Sequence, residues 1–107
     1  MIRGEIWTVV GGVFASKPRP ALVIQDDRFS ESESLAVLPM TSALRDAPLL
    51  RILVAPTSLS GLVRDSHIMI DKIATVRRSS VQSRVGRLTP GQFVAVERAL
   101  LVFLGIA

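Results

Sequence analysis

The sequence predicts a small α+β domain: a run of short strands forms a barrel-like sheet, and a single C-terminal helix follows. Three observations predict it. Short segments of β-branched and apolar residues recur as far as Leu88, each bounded by Gly, Pro or Ser clusters. The segment after Leu88 changes period and carries helix start and stop signals in the right places. At 107 residues and 49% hydrophobic composition, the chain can fill one core but lacks the length for a second, so residues 1–107 read as one domain.

The elements follow in order. Glu5 to Val10 is rich in β-branched and aromatic types and predicts a first strand with Trp7 in the core. Gly11-Gly12 ends it, and a loop runs to Pro20. Ala21 to Ile24 is a short, wholly apolar run, which reads as a buried strand. The polar stretch Gln25 to Ser34 is a loop before a third strand, Leu35 to Leu38. A turn around Arg45 to Pro48 leads to a fourth strand, Leu49 to Val54. Pro56 to Gly61 is turn-rich, Ser66 to Ile70 a fifth strand and Ala74 to Val76 a sixth. Ser79 to Ser83 has the length of one helical turn, after which Val85 to Leu88 rejoins the sheet.

The helix has the clearest local signals. Thr89 is a good N-cap, Pro90 takes the first helical position and Gln92 completes a capping box. The pattern runs to about Leu104, with Gly105 as the C-cap glycine. Only Glu97 and Arg98 interrupt the apolar surface of its body. A helix apolar nearly all round is buried on more than one side: one side meets the sheet, and a second subunit would cover the other.

Composition excludes several classes of chemistry. There is no cysteine, hence no disulfide, thiolate metal site or cysteine nucleophile. A single histidine, His67, rules out a two-histidine acid–base pair and argues against zinc; within an apolar strand it reads as a packed or edge residue. No apolar run reaches the roughly 18 residues of a membrane span, and no signal-peptide stretch opens the chain, so a soluble cytoplasmic protein is expected. The formal charge is +4, with Lys17 and Lys72 the only lysines. Asp26, Asp27, Glu31 and Glu33 make an acidic patch, whereas Lys72 to Arg98 holds six cations against Glu97 alone. Arginine forks suit phosphate and carboxylate, so an anionic partner is indicated, although basic surfaces are often merely solvated.

Two constellations are candidates for chemistry. Lys17-Pro18-Arg19-Pro20 runs straight into the apolar second strand, and Pro39-Met40-Thr41-Ser42 ends the third. Prolines stiffen the backbone beside Arg19 and Thr41, and an arginine fork with a short hydroxyl donor can hold a phosphate. Spacing alone favours an ordinary surface arginine and a turn threonine. Asp71-Lys72 follows the fifth strand, where a carboxylate can accept from a base edge, take a proton or simply shape a turn.

The same residues carry a resemblance. The chain resembles the MazF/PemK family of toxin–antitoxin toxins across essentially its full length. The matching pieces are Arg3-Gly4-Glu5-Ile6-Trp7, Arg19-Pro20 with Ala21 to Ile24, Leu38-Pro39-Met40-Thr41-Ser42, and Gly61-Leu62 to Asp65-Ser66. Ile70 to Val76, Val85 to Leu88 and Leu104-Gly105 complete the set. Each is short, but their order and spacing together are specific.

The resemblance implies a small SH3-like β-barrel of the MazF/CcdB type with a C-terminal α-helix, assembled as a homodimer. It also implies a metal-independent endoribonuclease, with no cofactor, that cleaves single-stranded RNA at specific sequences and arrests translation and growth. The family's catalytic arginine and threonine fall on Arg19 and Thr41, and its later acidic residue, which binds RNA or assists proton transfer, on Asp71. Lys17, Ser42 and Lys72 stand beside these as substrate-binding candidates. Many members carry a Glu-Gln-x-Gly-type stretch before the Arg-Pro motif. Here Phe14-Ala15-Ser16-Lys17-Pro18 is shorter and has no carboxylate, so no glutamate contact carries over. The expected partner is a cognate acidic MazE-like antitoxin. The alternative within the same fold is a CcdB-like toxin that binds DNA gyrase and cleaves nothing; its C-terminal Trp-Gly-Ile is replaced here by Leu104-Gly105-Ile106.

Overall fold

A computed structural model describes residues 1–11 and 17–107. Of the expectations above, the one on Phe14 to Ser16 lies outside those residues. The strands are β1 (Glu5–Val9), β2 (Arg19–Val23), β3 (Ser34–Thr41), β4 (Arg51–Val54), β5 (Ser66–Met69), β6 (Ala74–Arg77) and β7 (Val81–Arg87), followed by α1 (Pro90–Phe103). All pairings are antiparallel, in the order β4-β5-β3-β2-β1-β7, with β6 added to β3. The expected α+β class with a C-terminal helix holds. The barrel is open, because among the described residues no pairing joins β7 to β4 or β6.

The sheet has a core on each face. Ile6, Leu22, Leu38, Met40, Ile68 and Val96 belong to one cluster, completed by Phe93, Ala99 and Leu100 of α1. Val9, Ala21, Val23, Leu35 and Val37 form the other, against which Trp7, Val76 and Val81 pack. Alternate residues of β1, β2 and β3 therefore enter different cores, and this is why Ala21 to Val23 is apolar without a break. Trp7 is half-buried rather than central, and its Nε1 donates to Glu5 Oε1 at 3.1 Å.

β3 serves two neighbours along one edge. Ser34 to Val37 pair with β6, and Met40 and Thr41 pair with β5. Pro39 lies in the interval between them. Ala36 turns both its backbone groups toward β2 and Gln25, so alternation directs the Pro39 nitrogen to the opposite edge, where no donor is needed. A proline inside a central strand is thereby accommodated.

Several boundaries differ from expectation: β2 begins at Arg19 rather than Ala21, β3 runs from Ser34 to Thr41 rather than from Leu35 to Leu38, and β7 begins at Val81 rather than Val85. The helical turn expected over Ser79 to Ser83 is a 3-10 turn at Arg78–Ser80, and Val81 already belongs to β7. Pairing of Val9 with Val81 and Trp7 with Arg84 overrides the local preference. Leu49 and Leu50 lie in the turn before β4, since Leu50 N and Arg51 N both donate to Ala47 O. The helix begins as expected, with the Thr89–Gln92 capping box formed. Val96 is its one fully buried residue; Leu101, Val102, Phe103 and Leu104 are exposed, so the second apolar side is uncovered. Among the described residues no helix is long and apolar enough to cross a membrane.

The turn over Thr57 to Gly61 presses directly on β7. Thr57 and Ser60 exchange backbone-to-hydroxyl hydrogen bonds at 3.0 Å, and Leu59 O accepts from Arg87 N at 3.0 Å. Two glycines permit the approach. A Cβ on Gly86 would stand 2.2 Å from Ser60 O, and one on Gly61, whose φ is +68°, would stand 1.8 Å from Val85 O. Gly86→Ala is therefore expected to cost roughly 2 kcal/mol or more, about 10 °C in melting temperature. Gly91→Ala at the second helical position meets only Thr89 Oγ1 at 4.0 Å, and should be neutral or stabilising by up to about 1 kcal/mol. Thermal unfolding followed by circular dichroism reads both.

Candidate functional site

Arg19 opens β2 between two prolines, and Pro20 confines it to extended backbone. Thr41 closes β3 opposite His67 of β5. Arg19 and Thr41 each lie two residues beyond the Ala21–Pro39 pair, at the adjacent ends of β2 and β3. Thr41 Oγ1 accepts the Ala43 N–H at 3.0 Å. That bond turns the chain out of the strand and leaves the hydroxyl proton free to be donated elsewhere. His67 Nδ1 accepts the Arg45 N–H at 3.3 Å and pins the same exit segment.

These strand ends open on a cleft of about 260 Å³. Pro18-Arg19-Pro20, Met40-Thr41-Ser42, Leu62-Val63-Arg64 and Ser66 line its wall. Arg19, Thr41 and Ser42 thus come together as sequence candidates. Lys17 is exposed just before this wall without lining the cleft. Asp71 and Lys72 occupy the 3-10 turn after β5, Ile70–Lys72, and do not line it. Arg64 is the lining residue that sequence reasoning missed. Its signal was the Gly61 to Ser66 segment, whose short loop brings Arg64, two residues before β5, to the cleft.

The two arginines that line the cleft are uncommitted. Arg3 pairs with Glu97, Arg28 with Asp26, Arg84 with Glu5 and Arg51 with Asp71. Arg78 is engaged by Phe29 O and Ser32 O. Arg19 and Arg64 have no such partner among the described residues. Two guanidinium forks beside the hydroxyls of Thr41 and Ser42 make a site for a phosphate-bearing ligand.

Comparison with known proteins supports a single assignment. Residues 2–104 match the family described as "PemK-like, MazF-like toxin of type II toxin-antitoxin system". The chain is 54% identical over 108 residues to the "Probable endoribonuclease MazF" of Mycolicibacterium smegmatis, covering 100% of this chain and 99% of that one. Its fold is similar to the Mycobacterium tuberculosis toxin MazF-mt6, with a TM-score of 0.82 at 19% identity, over 96% of this chain and 98% of that one. It is equally similar to a mycobacterial endoribonuclease solved in complex with its cognate antitoxin, with a TM-score of 0.82 at 19% identity over 100% and 97% of the two chains.

Asp71 has a different setting from the cleft residues. Its carboxylate pairs with the guanidinium of buried Arg51, which also donates to Leu50 O at 3.0 Å. Burial alone would raise the Asp71 carboxyl, but the hydrogen bond and charge of Arg51 more than offset it. Lys72 adds to this, and the group is held below its ordinary value. A folded-state value below the unfolded one means that the pair stabilises the fold at neutral pH. That contribution is lost as pH falls from about 3.9 through the lower folded value. Asp71→Asn is therefore expected to lower stability by about 1–3 kcal/mol at pH 7, between the limits for surface and buried pairs. The deficit should shrink as the medium becomes more acidic than about pH 4. Urea unfolding at neutral and acid pH tests this; a deficit independent of pH contradicts it.

Proposed function

The chain belongs to the PemK-like, MazF-like toxins of type II toxin–antitoxin systems, and from that membership we propose that it is a metal-independent endoribonuclease. It cleaves single-stranded RNA at specific sequences and thereby arrests translation and growth in the cytoplasm. Residues 1–107 act as one toxin domain. The observation that carries the reading is the meeting of Arg19 and Thr41 at adjacent strand ends above one open cleft. The CcdB-like alternative has no comparable support, since the family match is to the PemK-like and MazF-like toxins.

RNA brings its own nucleophile. The 2′-oxygen bonds to phosphorus as the bond from phosphorus to the 5′-oxygen breaks, leaving a 2′,3′-cyclic phosphate and a 5′-hydroxyl. Charge builds on the non-bridging oxygens, where the Arg19 fork neutralises it and the free Thr41 proton adds a hydrogen bond. Arginine is too basic to give up its own proton, so its work is electrostatic. Asp71 is committed to Arg51 as a carboxylate and acts as a positioning residue for the turn that carries Lys72, while water moves the proton. Ser42, Lys17 and Lys72 bind the strand as it enters and leaves the cleft.

The partners follow from the surface. A flexible acidic segment of a MazE-like antitoxin would compete with RNA for the basic face, its charges speeding encounter and apolar anchors holding the complex. The uncovered side of α1 is assigned to a second copy of the chain. Phe103→Glu or Leu101→Glu should then shift the protein toward monomer, because each buries an unpaired charge. Light scattering reads the shift, and a wild-type monomer at micromolar concentration would refute the dimer.

Catalysis is tested on purified protein, single-stranded RNA and a chelator. The wild type should cleave. Arg19→Ala should lower the rate by ~10²–10³, the loss expected for one preorganised oxyanion donor. Arg19→Lys should not restore it, because a point charge lacks the bidentate fork. Thr41→Ala should be milder and Thr41→Ser close to wild type. Wild-type activity in a folded Arg19→Ala protein overturns the assignment.

A further inference from the structure

The cleft contains a second fork that the reaction above does not use. Arg64 lines it from the turn before β5, and among the described residues its side chain has no hydrogen-bond or ion-pair partner. The other cations without partners among the described residues, Lys17, Arg45, Lys72, Arg77, Arg87 and Arg98, do not line this cleft. The backbone that carries Arg64 is held in place. Ser66 Oγ donates to Arg64 O at 3.1 Å, Leu62 packs against the main core and Gly61 N donates to Thr57 O at 2.9 Å. An uncommitted charge on an anchored turn is poised for a ligand.

Three elements bring these residues to one cleft: Arg19 opens β2, Thr41 and Ser42 stand at the end of β3, which pairs with both β2 and β5, and Arg64 sits in the turn that leads into β5. One phosphate could accept from both forks, whereas an extended single strand offers each fork a phosphate of its own, and the second arrangement also gives the strand a direction. We propose that Arg64 binds the phosphate adjacent to the one held by Arg19, fixing the direction in which single-stranded RNA crosses the cleft. This rests on the endoribonuclease reading for the identity of the ligand.

The test is binding, kept separate from cleavage. A 2′-O-methyl oligoribonucleotide chosen for tight binding cannot be cut, because its nucleophile is blocked. Fluorescence anisotropy should show Arg64→Ala weakening its binding about tenfold, as expected for loss of a charge-assisted phosphate contact. The slope of log affinity against log salt should fall in magnitude by about 0.7, the value for one contact on a single strand. Phosphates are then replaced one at a time by neutral methylphosphonate. Arg64→Ala should become insensitive at one position and Arg19→Ala at the next one along, while Arg87→Ala, which removes the same charge outside the cleft, stays sensitive at both. Unchanged affinity in Arg64→Ala, or the same position erased by both cleft variants, overturns the proposal. Arg64 is exposed, so its variant should fold, and circular dichroism verifies it. Cleavage of unmodified RNA by the wild type is read alongside. If RNA stays intact while the two adjacent positions persist, the catalytic reading fails and the Arg64 contact stands.

Discussion

A strand with apolar side chains on both faces is stable only if each face is covered, and β3 is where this chain meets that demand most fully. Leu35 and Val37 enter one cluster, Leu38 and Met40 the other. Each such burial is worth about 1.5–3 kcal/mol relative to exposure. β2, β5 and β6 are all ordered by pairing with this strand. The site inherits that order: Thr41 is the last residue of the most constrained strand, and Arg19 is the first residue of its neighbour. Hydroxyl and guanidinium are thus held at the rim of a packed sheet, where backbone rigidity is inexpensive and solvent access remains.

Electrostatics sorts the arginines after the sheet has placed them. Carboxylates of Glu5, Asp26, Asp71 and Glu97 neutralise cations away from the cleft, and backbone carbonyls of the 29–32 segment engage Arg78. Among the described residues Arg19 and Arg64 of the cleft keep their forks unpaired, as do Arg45, Arg77, Arg87 and Arg98 elsewhere on the surface. Sequence charge counts over long windows miss this, because a net charge does not say which cations are already paired. The basic run from Lys72 to Arg98 contributes none of the residues lining the cleft, whereas Arg64, next to Asp65, does.

The loop from Pro56 to Ser66 shows how a segment read only as turn chemistry can shape a site. Thr57 and Ser60 knit the turn, Gly61 and Gly86 allow it to lie against β7, and the chain then emerges to carry Leu62, Arg64 and Ser66 to the cleft wall. The two glycines lie far apart in sequence, and their shared purpose exists only once β7 has paired with β1.

Local signals therefore determined a good deal. The apolar run Ala21 to Ile24 announced a buried strand, and Thr89-Pro90 with Gln92 marked the helix start, since each depends only on nearby residues. Arg19 and Thr41 were legible as stiffened strand ends, and their partnership was legible as a resemblance. Their meeting at adjacent strand ends, the attachment of Asp71 to Arg51 and the entry of Arg64 into the same cleft required the folded chain. Strand pairing decides which distant residues become neighbours. The open seam of the barrel and the uncovered side of α1 were equally matters of tertiary structure, because periodicity reports that a face is apolar but not what lies against it.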